Sequence, residues 1–182
     1  MSGESVFEEL RKDHEVVLAG VRAVVEKVER VEQGGPKPTP EALAVCQKSV
    51  RALRRAFTVH RCREEVGLFP EVEQLVSQGA PSVDILGSFF AGEAEDDIVA
   101  HVGIAEGLQQ IDRVLEQLLR RDEPESDLGE AARGLADLIT RHAAKEDTEI
   151  FPMMVRVVTR EQLADVAERI AELCDMETER VK

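Results

Sequence analysis

A chain of 182 residues is long enough for one well-buried domain and short for two. Charged residues make up 33% of it, aromatics 3%, and neither Trp nor Tyr occurs, which is the composition of a helical bundle rather than a sheet. A formal net charge of −14 repels phosphate backbones and anionic lipid, so no nucleic acid and no membrane is expected as a partner.

No apolar run approaches the roughly 20 residues of a spanning helix. Met1 to Arg11 lacks the basic start and apolar centre of a signal peptide, so the expected address is cytoplasmic. Cys46, Cys62 and Cys174 are odd in number and show no CxxC spacing, which argues against a disulfide framework and a zinc knuckle.

In chain order, Ser5-Val6-Phe7-Glu8 reads as a capping box, and Phe7, Leu10, His14, Val17, Val21, Val24 and Val28 follow at alternating spacings of three and four. This first helix ends in Gly34-Gly35-Pro36-Lys37-Pro38-Thr39-Pro40. Thr39 caps a second, with Pro40 in its first turn and Cys46, Val50, Leu53, Phe57, His60 and Glu64 inward. The spacing predicts that it weakens at Gly67 and that, after Phe69-Pro70, a short helical piece Glu71–Ser77 leads into a turn, Gln78-Gly79-Ala80-Pro81.

A third helix, about 83–121, places Phe90, Ala94, Asp97, His101, Ile104, Leu108, Ile111, Leu115 and Leu118 inside, and Arg121-Asp122-Glu123-Pro124-Glu125-Ser126 breaks it. The fourth shows Leu128, Ala131, Leu135, Leu138, His142 and Glu146 and is predicted to close at Phe151-Pro152. Thr159-Arg160-Glu161-Gln162 is a second capping box, opening a fifth helix with Leu163, Val166, Ile170 and Leu173. The expected fold is all-α, an up-down-up-down four-helix bundle (about 5–152) with an additional C-terminal helix (about 160–178), in a single domain spanning 1–182.

Two stretches carry chemistry. His60-x-x-x-Glu64, ending Leu68-Phe69-Pro70, recurs 82 residues later as His142-x-x-x-Glu146, ending Ile150-Phe151-Pro152. Residues four apart share a helix face, so each copy offers an imidazole and a carboxylate to one point. The chain has four histidines, one on the core phase of each main helix. Midpoints between successive histidines fall at Lys37, at Ala80-Pro81 and at Arg121-Asp122, all in the connections. In an antiparallel bundle, residues equidistant from a turn lie at one height, so the four imidazoles are expected in one layer.

Burying His14, His60, His101, His142, Glu64 and Glu146 without a cation costs several kcal/mol. Imidazole and carboxylate without thiolate suits iron or manganese, and six ligands are too many for one tetrahedral zinc. Two ions fit better, with Glu64 and Glu146 placed to bridge them and positions left open for a small ligand; di-iron is the natural filling. Ferritin-like sites need ExxH, and the residues three before the histidines are Arg11, Phe57, Ile98 and Ile139. HExxH is absent as well.

This ordered set of six, His14, His60-x-x-x-Glu64, His101 and His142-x-x-x-Glu146 with the paired Phe-Pro endings, resembles the hemerythrin-like HHE cation-binding family over residues 5 to 152. The resemblance implies a non-haem di-iron centre, two iron ions with an oxo or hydroxo bridge, that meets dioxygen, nitric oxide or peroxide. Oxygen-carrying members supply a fifth histidine four residues before the one on the third helix, where this chain has Asp97. It therefore resembles the branch with four histidines and two glutamates, which includes proteins of peroxide or nitric oxide chemistry and iron-centre repair proteins.

Asp97 shares a face with His101, and three roles stay open for it: a further ligand, an acceptor for an imidazole N–H, or a proton relay; it is equally readable as a polar residue near a wet bundle end. Glu65 and Asp147 stand five after their histidines, a spacing some hemerythrins use for a bridging aspartate, but helical phase favours Glu64 and Glu146. Phe69 and Phe151 are candidates for a collar that controls ligand access, or for ordinary core plugs. The expected function is a reaction with peroxide or nitric oxide, catalase-like or scavenging. The alternatives are a sensor or store for oxygen, nitric oxide or iron, and iron-centre repair. Oligomeric state is not legible.

Overall fold

The computed structural model describes residues 4–34, 38–77, 83–120 and 127–180, with backbone alone at 4–5, 76–77, 83–91, 157 and 171–180. The Ser5 cap, residues Gly35 to Lys37, Gln78 to Pro81, Arg121 to Ser126 and the side chains of Phe90, Leu173 and Cys174 therefore lie outside the described residues. Every described element is helical and no strand occurs among the described residues. The elements are α1 (Glu4–Gln33), α2 (Pro40–Cys62), α3 (Phe69–Ser77), α4 (Val83–Arg120), α5 (Leu128–Lys145), α6 (Phe151–Val157) and α7 (Arg160–Arg180). The fold is an all-α bundle with an additional C-terminal helix, α7.

Capping residues explain several boundaries. The Thr39 hydroxyl accepts the Ala42 amide at 3.2 Å, starting α2. Thr159 and Gln162 bond reciprocally, the Gln162 side chain accepting the Thr159 amide at 2.9 Å and the Thr159 hydroxyl accepting the Gln162 amide at 3.3 Å. Asp127 caps α5 through the Glu130 amide at 2.7 Å, a signal overlooked in the sequence because it follows directly on a charged turn.

Two corrections concern the Phe-Pro endings. Helix α2 does not fade at Gly67: it passes through a π-helical turn, Arg63–Leu68, straight into α3, which begins at Phe69 rather than Glu71. Likewise α5 does not close at Phe151-Pro152 but runs through a π-turn, Glu146–Ile150, into α6. In each turn a Phe amide bonds five residues back, Phe69 to the Glu64 carbonyl and Phe151 to the Glu146 carbonyl. In an α-helix a proline ring clashes with the carbonyl four residues back; one extra residue per turn relieves that clash, so the helix continues through proline.

The chain forms two compact units, each with its own core. One comprises residues 15–57 and 100–142. Its interior is built from Val17, Val21, Val24 and Val28 of α1, Cys46, Val50, Leu53 and Phe57 of α2, Ile104, Leu108, Ile111 and Leu115 of α4, and Leu128, Ala132, Leu135 and Ile139 of α5. On α5 the expected Ala131 and Leu138 are only partly buried, while Ala132 and Ile139 are fully inside. Between Leu128 and His142 the steps four-three-four-three fit as well as three-four-three-four, and the neighbouring helices choose the former.

The other unit comprises residues 1–14, 58–99 and 143–182. Phe7 and Leu10, Leu68, Phe69 and Val72, Ile150, Phe151 and Met154, and Leu163, Val166, Ala167 and Ile170 make its core. Helix α7 lies directly on the first π-turn: a Cβ built at Gly67 would sit 2.4 Å from Ile170 Cγ1. Only a glycine admits the helix at that depth. Gly67→Ala is expected to cost about 1–3 kcal/mol in thermal unfolding, and less in an Ile170→Ala background; an equal cost in both backgrounds would show that this contact is not the reason.

Candidate metal centre

Helix α1 presents His14 one turn beyond Leu10, α2 presents His60, and the π-turn that follows presents Glu64; α4 carries Asp97 and His101, α5 carries His142, and the second π-turn opens with Glu146. All seven side chains are buried. His14 Nε2 stands 2.6 Å from Glu146 Oε2. His60 Nε2 is 3.3 Å from Glu64 Oε2 and 3.7 Å from Glu146 Oε2. The rings of His14 and His60 meet edge to face at 4.7 Å. His101 and His142 approach Nε2 to Nε2 at 3.1 Å, and Phe57 abuts the His101 ring. One ligand atom each from His60, Glu64, His101, His142 and Glu146 all lie within 4.8 Å of one another.

The electrostatics are those of a site built for positive charge. Burial, then the neighbouring carboxylates of Glu146 and Asp97, push the Glu64 carboxyl well above its ordinary range. Burial holds His14 below the usual imidazole value, against the opposite pull of Asp147, Asp13 and Asp97, so its neutral, ligating form is favoured. Glu65, by contrast, is partly exposed and pairs with Arg61 at 3.5 Å.

Both phenylalanines belong to the apolar core of this unit. Phe151 also lies parallel to the His14 ring, 5.7 Å away with 4° between planes, and touches Phe7 at 5.2 Å between centroids. Asp147 was set aside in the sequence on helical phase. Its Oδ1 lies 3.2 Å from His14 Nδ1, and it pairs with Arg11 at 3.5 Å. The sequence signal for it is its place five residues after His142; which helix that acid faces is a tertiary fact. The pairs Arg63–Asp13 at 2.6 Å and Lys145–Glu93 at 2.6 Å were also unforeseen.

Buried imidazoles and clustered buried carboxylates fit a cation chemically: a metal would replace the solvation that burial removes and cancel the carboxylates' repulsion. A model of the hemerythrin HHE cation-binding domain matches residues 5–154. The chain belongs to the hemerythrin HHE cation-binding family. Comparison with curated proteins and with solved structures found no match. The hemerythrin match runs from the first turn of α1 into α6 and leaves α7 outside it. Family membership and the buried cluster together mark a metal-binding protein. Among the described residues no helix is long and apolar enough to cross a membrane.

Because the Glu64 pKa is raised on folding, the stability it contributes is present below its unfolded value and lost as pH rises. The metal-free protein is therefore expected to weaken from pH 5 to 8, and Glu64→Gln to regain on the order of 1–3 kcal/mol at pH 8 while losing metal affinity. Calorimetry with chelator, at both pH values, checks the sign.

Proposed function

We propose that this hemerythrin-like protein is a non-haem di-iron protein that reacts with peroxide or nitric oxide. His14, His60, Glu64, His101, His142 and Glu146 would hold two iron ions, with Glu64 and Glu146 as the candidate bridging carboxylates and an oxo or hydroxo group as the further bridge. The observation that carries this reading is the five-residue cluster whose ligand atoms fall within 4.8 Å, extended by His14 at 2.6 Å from Glu146. Bound iron supplies redox steps and open positions for a small ligand.

The protein's own part is to hold and to insulate. The buried glutamates offset the ions' charge, and the imidazoles set the directions of approach. Phe151, fully buried against His14, keeps water from that side. With no Tyr or Trp in the chain, no side chain of those types carries oxidising equivalents away from the centre. Asp97, buried where oxygen-carrying members resembling this chain place a histidine, puts a carboxylate beside the cluster and argues for turnover rather than reversible oxygen carriage. Peroxide disproportionation balances without an outside reductant: two molecules give two waters and one dioxygen.

Iron-loaded protein is expected to evolve dioxygen from peroxide, and His60→Ala to evolve none. A stable, reversible gas adduct with no turnover would contradict the reading and favour a sensor or store.

A further inference from the structure

Within the family resemblance, an acid five residues after a metal-binding histidine is a candidate bridging ligand. Asp147 holds that position after His142, yet its carboxylate is turned to the outer nitrogen of a different histidine, on α1. Its Oδ1 lies 3.2 Å from His14 Nδ1, and its side chain remains about one-third exposed. On the inner side of the same ring, Nε2 faces Glu146 Oε2 at 2.6 Å.

The ring is held in other ways too. Phe151 is stacked on it, 4° from parallel. Arg11 carries its guanidinium over the Phe151 ring, 5.9 Å from the centroid, and pairs its Nε with Asp147 Oδ1 at 3.5 Å. Arg11, His14, Phe151 and Asp147 thus form one bracket joining α1 to the second π-turn and α6. The corresponding acid of the first repeat, Glu65, is paired along its own helix with Arg61.

We propose that Asp147 is a positioning residue rather than a bridging ligand: by accepting the Nδ1 proton it fixes the tautomer and plane of His14, so that Nε2 presents its lone pair to the metal. A free imidazole favours the proton on Nε2, the form that cannot ligate through that atom. Arg11 keeps the Asp147 carboxylate in place and Phe151 limits rotation of the ring. This inference rests on the metal-binding reading above, and its tests separate the two.

Chelator competition on the iron-loaded protein should show Asp147→Ala weakening metal binding about 10–100-fold, while Asp147→Asn, whose carbonyl still accepts from Nδ1, stays close to wild type. Nitrogen-15 NMR of the metal-free protein should show His14 Nδ1 protonated in wild type and in Asp147→Asn, and unprotonated in Asp147→Ala. Equal losses of metal in the Ala and Asn variants, as a bridging carboxylate would give, would overturn the proposal, as would an unprotonated Nδ1 in wild type. Wild-type protein that binds no metal but keeps the Nδ1 proton would overturn the functional reading while supporting the role of Asp147.

Discussion

Carboxylates that repel one another where water cannot reach them are the constraint on which the rest of this molecule turns. Glu64 and Glu146 are wholly buried and Asp97 nearly so. Each raises the cost of ionising the others, as the upward shift at Glu64 records. A helical core of this size has little stability to spare, and a bound cation would restore what burial removes. The neutral state favoured at His14 belongs to the same logic, since a protonated imidazole cannot ligate.

The backbone meets that demand in a specific way. Each HxxxE pair ends at a π-turn whose first residues include the glutamate, and each turn is followed by Phe-Pro. The widened turn lets the helix continue through proline, and Phe69 and Phe151 are buried in the core of their unit. Gly67, inside the first turn, then admits Ile170 of α7 at a distance that no other residue would permit. Helix α7, which the family match leaves out, thereby packs on the backbone that carries Glu64.

Much of this was legible in the sequence because it follows from periodicity. Three-four alternation placed Val17, Val21, Leu53, Phe57, Ile104 and Leu108 inside, and the core phase of His60, His101 and His142 agrees with their place in one ligand cluster. Thr39 and the Thr159–Gln162 pair carried their caps in their side-chain chemistry. The π-turns were not legible, because one extra hydrogen-bonded residue leaves the HxxxE pattern unchanged. Asp147 was not legible either: its partner is 133 residues away, on a helix whose position depends on the packed state. On α5 the choice of Ala132 and Ile139 over Ala131 and Leu138 was made by neighbours rather than by the repeat.

The central claim, a pair of iron ions held by histidine and glutamate, is tested most directly by metal analysis joined to an absorption spectrum of the protein as isolated. A chain without Trp or Tyr leaves the near-ultraviolet almost clear, so bridged iron has little to hide behind. The account predicts about two irons per chain with absorption bands that vanish on chelation. Zinc alone at about one per chain, with no such bands, would contradict it.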